Sequence, residues 1–374
     1  MSESNLFSTI NWAGTELNNR MVLAPLTRGR AGPDRVPNTI MGDYYTQRAS
    51  GGLLISEATS ISPEGNGWVD APGIYTDEMV AGWRSITDRV HKAGSKMILQ
   101  MWHTGRASHS DFHNGELPLS ASAVAISDGS EIHTSTGKKA FEVPKAMTAE
   151  DIKRTVEDYR QAAVNAKEAG FDGIEVHAAN GYLINQFLDS RSNQRDDDYG
   201  GSLENRYRFF AEVLQAVLTV WPAQNVGVRL SPNGVFNDMG ADDYRETYMF
   251  VATRLNELKL GYLHVMDGLA FGFHERGEPM TLKDFRHVFD GMLIGNCGYD
   301  KDTAEQRIAD GDADMIAFGR PWITNPDLPV RFKHNYPLAP FDDPSQWYGG
   351  GREGYSDHPD YQAESGKNDV AAIS

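Results

Sequence analysis

Residues 173–182 read Gly173-Ile174-Glu175-Val176-His177-Ala178-Ala179-Asn180-Gly181-Tyr182. A short, largely apolar run stops at a cluster of polar side chains, as a strand covered on both faces does where it reaches a functional rim. Upstream, Thr148 and Asp151 have capping-box spacing, and Ile152, Val156, Tyr159 and Ala163 then recur at helical intervals until Gly170. Downstream, Phe209, Phe210, Val213, Leu214, Val217 and Leu218 mark a helix from about Ser202 to Trp221, which Pro222 ends. Helix, buried strand, polar rim and helix again make the repeating unit of a parallel α/β fold.

The unit recurs along the chain. Candidate strands are Met21–Ala24, Leu53–Glu57, Met97–Trp102, Gly173–His177, Val226–Leu230, Leu263–Met266, Met292–Asn296 and Met315–Gly319. Further helices are expected over Asn38–Arg48, Asp77–Lys92, Asp242–Lys259, Thr281–Phe289, Asp300–Asp310 and Asn325–His334. Eight strands alternating with eight helices imply an α/β protein of the closed (β/α)8 TIM-barrel class. An open doubly wound sheet competes, but no Gly-x-Gly-x-x-Gly turn follows the first strand. Phe7–Arg20 reads as a hairpin around Ala13-Gly14 that closes the amino-terminal end of the barrel. Residues 107–145 form an insertion after the third strand; the Asn114-Gly115 turn signal and the strand-like Phe141-Glu142-Val143 predict a hairpin acting as a lid over the mouth. Residues 356–374 are polar and aperiodic, which predicts a flexible tail. The expectation is one domain spanning 1–374.

Composition narrows the function. The 374 residues carry 35 Lys+Arg against 52 Asp+Glu, a formal net charge of -17. That field repels phosphate backbones and anionic lipid, and with no basic run neither nucleic acid nor a membrane surface is an expected partner. No apolar stretch approaches the ~20 residues of a membrane span. The single cysteine, Cys297, can form no internal disulfide and cannot supply an iron–sulfur cluster. The polar, acidic start Met1-Ser2-Glu3-Ser4-Asn5 carries no leader signal, so a cytoplasmic location is expected.

In such a barrel the chemistry sits at the carboxyl ends of the strands. Here those ends read Pro25-Leu26-Thr27-Arg28, Glu57-Ala58-Thr59, Gln100-Met101-Trp102-His103, Glu175-Val176-His177, Arg229-Leu230-Ser231-Pro232, Asn296-Cys297-Gly298 and Gly319-Arg320-Pro321. No nucleophile stands beside a base and no catalytic carboxylate pair is evident, which weighs against acyl transfer and glycoside hydrolysis. A ring of hydrogen-bond donors remains, suited to a flat, polar, electron-rich molecule. A metal-dependent barrel lyase or hydrolase is disfavoured because no His-x-His pair or carboxylate cluster closes a strand, and no metal is expected; His109 and His113, though four apart, fall where a helix is doubtful.

Pro25-Leu26-Thr27-Arg28, Gln100-Met101-Trp102, His177-Ala178-Ala179-Asn180-Gly181-Tyr182, Arg229-Leu230-Ser231-Pro232 and Phe318-Gly319-Arg320-Pro321 together resemble the Old Yellow Enzyme family of FMN-dependent ene-reductases. Leu188-Asp189-Ser190, Tyr199-Gly200-Gly201-Ser202, Glu204-Asn205-Arg206 and Tyr348-Gly349-Gly350-Gly351 extend the resemblance in the same order over nearly the whole chain. Thr27, where another branch has Cys, is similar to the bacterial branch that includes pentaerythritol tetranitrate reductase and morphinone reductase.

The resemblance implies FMN, bound tightly and non-covalently, with NADPH or NADH as reductant and electrophilic alkenes as small-molecule substrates. It implies that Pro25, Thr27, Ala58, Gln100, His177 and Arg229 contact the ring system and that Gly298, Gly319 and Arg320 hold the phosphate through amides and a guanidinium. His177 and Asn180 would grip the carbonyl or nitro oxygen, so that the β-carbon accepts hydride from flavin N5 while Tyr182 protonates the α-carbon, in a ping-pong cycle. Trp68, Trp102 and Tyr348 would line the substrate cavity; relatives of this branch usually carry Tyr where Trp68 stands. Taken singly, each residue has a structural alternative: His177 a satisfied rim histidine, Arg229 an ion-pair partner, Thr27 a loop cap, Gly319-Arg320 a plain turn, and the aromatics packing. From a different class, a flavin-binding sensor or store without turnover is the alternative function.

Overall fold

Eight parallel strands close on themselves in the computed structural model, which describes residues 5–341 and 343–365. They are β1 (Met21–Leu23), β2 (Leu53–Ile55), β3 (Met97–Trp102), β4 (Gly173–His177), β5 (Val226–Leu230), β6 (Tyr262–Met266), β7 (Leu293–Asn296) and β8 (Met315–Phe318). Each pairs with its successor; β8 returns to β1 through Phe318 opposite Leu23, and β3 joins β4 with Gln100 opposite Glu175, so the ring has no edge. Helices α1 (Thr39–Gln47), α2 (Asp77–Lys92), α3 (Ala149–Glu168), α4 (Leu203–Leu218), α5 (Tyr244–Glu257), α6 (Leu282–Arg286), α7 (Lys301–Ala309) and α8 (Leu328–His334) alternate with the strands. The (β/α)8 barrel expected from the alternation is the fold.

Local signals fix the helix ends. Thr148 and Asp151 form the reciprocal capping box that starts α3, and the Ser202 hydroxyl accepts from the Asn205 amide at the start of α4. Helix α8 begins at Leu328, three residues later than expected, because the Asn325 side chain turns back to the Pro321 carbonyl. Helix α6 is likewise shorter than Thr281–Phe289.

The barrel interior is a packed apolar plug of Val22, Leu53, Ile55, Ile98, Tyr262, Ile294, Met315 and Ala317. Trp12 and Leu17 join it from below, on a hairpin of Ile10–Trp12 and Thr15–Leu17 whose turn residues Ala13 and Gly14 lie at φ 49 and 81. A side chain on Gly173 would meet the Trp12 ring at 3.1 Å, so small residues at the strand starts make room for the indole.

While Asn114 and Gly115 make a separate turn at φ 54 and 93, the insertion contains the expected hairpin, formed by Glu131–Thr134 and Gly137–Ala140. Alternate burial of Ile132 and Thr134 is the pattern that marks it. Phe141-Glu142-Val143 is not a strand: the Glu142 carboxylate accepts from the Ser110 amide and hydroxyl, while Lys145 and Ala146 pair in parallel with Leu119 and Ser120. Of the expected tail, 366–374 lies outside the described residues. In the described part Ser356 is buried, and the short helix Tyr361–Ser365 is docked through Tyr361 on Tyr336, ring centroids 4.0 Å apart, and Glu364 on Arg331 at 2.8 Å. Among the described residues no helix is long and apolar enough to cross a membrane.

Because Trp12 is the stopper of the barrel, Trp12→Ala is expected to lower the unfolding free energy by about 3–5 kcal/mol, measured by chemical denaturation.

Candidate active site

The strand ends meet at one rim. Gly319, after β8, lies against Leu26 of the loop after β1, where an added side chain would come within 3.1 Å of Leu26 Cδ2. A side chain on Gly29 would meet the Val69 carbonyl at 2.9 Å and would come within 3.8 Å of Trp68 and Gly349, and the Gly349 amide donates to the Arg28 carbonyl at 2.9 Å. The residues quoted from the two ends of the sequence, Pro25 to Arg28 and Tyr348 to Gly351, are thus neighbours. Buried Glu57 organises this corner: one carboxylate oxygen accepts from the Arg28 and Gly29 amides at 3.1 and 3.0 Å, and burial pushes its pKa up.

At the end of β4, His177 is 3% exposed and burial, with Arg229 and His264 nearby, holds its pKa well below 6.5. Its Nδ1 accepts from the Ala179 amide at 3.4 Å, which assigns the ring proton of the neutral imidazole to Nε2. Asn180 and Gly181 both adopt left-handed backbone, φ 57 and 70. Four side chains hold that turn: Ser231 accepts from the Asn180 amide, Asn237 donates to the Asn180 carbonyl, Asn185 accepts from the Gly181 amide and Gln186 donates to the Gly181 carbonyl. Tyr182 then packs edge-on against both His177 and Trp102, each at 5.0 Å. Burial pushes its phenol pKa up, so it stays protonated at neutral pH.

Beneath this turn, immediately above the apolar plug, sits a polar layer. Glu175, fully buried, accepts from Gln100 Nε2 at 2.7 Å and from His264 Nδ1 at 2.9 Å. The register places Glu175 beside Gly227 and Gly227 beside Tyr262, and a Cβ on Gly227 would fall 2.1 Å from the Tyr262 ring. Arg229 donates through Nη2 to Asn296 Oδ1 at 2.6 Å. Its Nε is buried and has no hydrogen-bond partner among the described residues. An unpaired guanidinium N–H at this rim is available to an acceptor from outside the chain.

On the far side, Cys297 and Gly298 are consecutive left-handed residues after β7, φ 88 and 83, and a side chain added to Gly298 would meet only Ala270 Cβ, at 3.8 Å. Burial raises the Cys297 thiol, so it stays protonated. Arg320 lies between the Phe271 and Trp347 rings, 4.8 Å from each. Backbone exposed at a glycine turn beside a guanidinium suits a phosphate, and Arg229 with Gln100 suits the heteroatom edge of a flat ring; the residues present fit FMN. Trp68 pairs with half-exposed Tyr348 at 5.1 Å, and it packs on a buried cluster of Ala58, Trp102, Ala107, Ile126 and Tyr182.

The residues that reading the sequence missed are the supporting ones. Glu57, Glu175 and His264 are charged or polar side chains inside otherwise apolar strands, and that interruption is a signal visible in the sequence. Asn185, Asn237 and Gln186 gave none, because their role exists only when distant loops meet, and Ser231, although it stands at a strand end, shows there nothing of the amide it holds. His109 accepts from the Asp111 amide, and His113 bonds Ser108 at 2.8 Å.

A closed barrel whose mouth is lined with donors and has an open glycine turn beside a guanidinium is the frame of a barrel oxidoreductase that works through a bound flat cofactor. The NADH:flavin oxidoreductase / NADH oxidase family matches residues 5–339. 12-Oxophytodienoate reductase 1 of Oryza sativa subsp. japonica is 41% identical over 348 residues, 92% of this chain and 90% of the relative. The Old Yellow Enzyme homologue of Zymomonas mobilis superposes with TM-score 0.91 at 41% identity, covering 95% of this chain and 99% of that one. Morphinone reductase, solved in complex with tetrahydroNAD, gives 0.90 at 41% identity and 99% coverage of both chains. The chain belongs to the Old Yellow Enzyme family; it is an FMN-dependent oxidoreductase reduced by a nicotinamide.

His103, buried next to Trp102, accepts from the Gly105 amide through Nδ1, and burial pushes its pKa down to about 3. Below pH ~6.5 the unfolded chain protonates this histidine while the folded one does not, so the stability it contributes is present above that pH and falls as the medium acidifies. Replacing it should remove that slope: His103→Asn is expected to lose about 1.4 kcal/mol less stability than the parent between pH 7.5 and 5.5, measured by denaturant titration at both pH values.

Proposed function

We propose that the protein reduces the C=C bond of α,β-unsaturated carbonyl or nitro compounds, drawing on NADPH or NADH in alternating half-reactions at one site. Bound FMN supplies the hydride. Pro25, Thr27, Ala58, Gln100 and Arg229 hold its ring, and Gly298, Gly319 and Arg320 its phosphate. His177, through the Nε2 proton that its Nδ1 bond assigns, and the Asn180 amide hold the substrate oxygen and draw charge away from the double bond. Tyr182 delivers the proton to the α-carbon. Trp68, Trp102 and Tyr348 line the substrate cavity, and the insertion 107–145 acts as its lid: Ala107 and Ile126 share the buried cluster of Trp102 and Tyr182, with Phe141 packed on it. The whole works as one domain.

The observation that carries this reading is the contact of Tyr182 with both His177 and Trp102, each at 5.0 Å. It puts a protonated phenol beside the imidazole that would grip the oxygen. The relatives support it by name, as reductases of 12-oxophytodienoate and morphinone.

Purified protein is expected to be yellow, to bleach on anaerobic addition of NADPH or NADH, and to regain colour with 2-cyclohexenone. Colourless protein that takes up no FMN would refute the assignment. Tyr182→Phe is expected to slow reoxidation by 2-cyclohexenone about 100-fold while flavin reduction changes less than about twofold; stopped-flow traces showing equal loss in both half-reactions would remove Tyr182 from the proton step.

A further inference from the structure

The carboxylate of Glu175 is buried with no access to water, directly beneath the residues proposed to hold the flavin ring. We infer that Glu175 is a positioning residue that sets the reduction potential of the bound flavin, by balancing the charge of Arg229 and by fixing which end of the Gln100 amide faces the ring. The inference rests on the reading that the ring lies over Gln100 and Arg229.

The layer has little freedom. A carboxylate only accepts hydrogen bonds, so Gln100 must turn Nε2 toward Glu175, at 2.7 Å, and present its carbonyl oxygen elsewhere. The other carboxylate oxygen takes the Nδ1 proton of His264 at 2.9 Å. His264 Nε2 is buried with no partner among the described residues, which suits a bare ring nitrogen and not an N–H cation. Burial holds His264 below its ordinary pKa, whereas His264, Arg229 and Gln100 together outweigh burial at Glu175 and keep it ionised. The layer therefore contains one negative charge, Glu175, and one positive charge, Arg229, in surroundings that screen them poorly. Asn296 satisfies Arg229 without adding charge, since its own Nδ2 is committed to the Ala317 carbonyl at 2.8 Å.

Reduction adds negative charge to the flavin. Neutralising Glu175 leaves the Arg229 charge unopposed and favours the reduced state. Glu175→Gln, close in shape, is expected to shift the equilibrium toward reduced flavin at least tenfold, about 30 mV upward for a two-electron couple, in spectroelectrochemical titration of the holoprotein. Asn296→Asp, which adds a carboxylate against the same guanidinium, is expected to shift it at least tenfold the other way. It keeps the test decisive if Glu175→Gln does not fold. A Glu175→Gln holoprotein whose potential stays within threefold of the parent, with or without weaker FMN binding, would reduce Glu175 to a packing role. Absence of any shift in Asn296→Asp would show that the charge of this layer is not felt at the ring. Failure of the parent protein to bind FMN would instead sink the underlying reading.

Discussion

A carboxylate and a guanidinium share the dry interior of this barrel, and the rest of the site is arranged so that neither is left uncompensated. Burying a charge costs several kcal/mol unless hydrogen bonds and an opposite charge answer it. Glu175 is answered by Gln100 and His264, and Arg229 by Asn296, all on the inward face of neighbouring strands. That requirement fixes the register of β3 to β7 as firmly as the apolar plug below does, because a slip of one residue would turn each of these groups outward. The Arg229 Nε donor, without a partner among the described residues, is left available to a ligand.

Above that layer the Asn180-Gly181 turn is held by its backbone. Asn180 and Gly181 occupy conformations that cost little for Asn and Gly and much for most other residues, and Ser231, Asn237, Asn185 and Gln186 take their amides and carbonyls. In the proposed function the side chains of His177, Asn180 and Tyr182 would then serve the substrate. Precision of this kind would suit the proposed reaction, in which hydride and proton must arrive at adjacent carbons.

The opposite wall is fastened by arginine and tyrosine. Tyr44 and Tyr355 stack at 4.4 Å, and Arg28, Arg30 and Arg48 lie over their faces, Arg48 at 3.6 Å from the Tyr44 ring. Arg28 also donates to the carbonyls of Gln346, Trp347 and Gly354. This clasp joins the first strand-end loop to the segment that carries Tyr348, so that Trp68 and Tyr348 close the mouth together.

Alternating apolar runs and amphipathic helices are local properties, each fixed by a few consecutive residues, and so the sequence by itself determined the barrel, its strand ends, most helix caps and the identity of the rim residues. The hairpin expected in the insertion is present, but its strands were not legible, because pairing of Glu131–Thr134 with Gly137–Ala140 depends on what Ile132 and Thr134 are buried against. Partnership was decided only by the tertiary structure. That Glu175 meets His264 across Gly227, that four side chains from separate segments share the Asn180-Gly181 backbone, and that residue 28 clasps residue 355 follow from closing the ring. Closure brings together groups up to some three hundred residues apart, and no spacing along the chain encodes which of them touch.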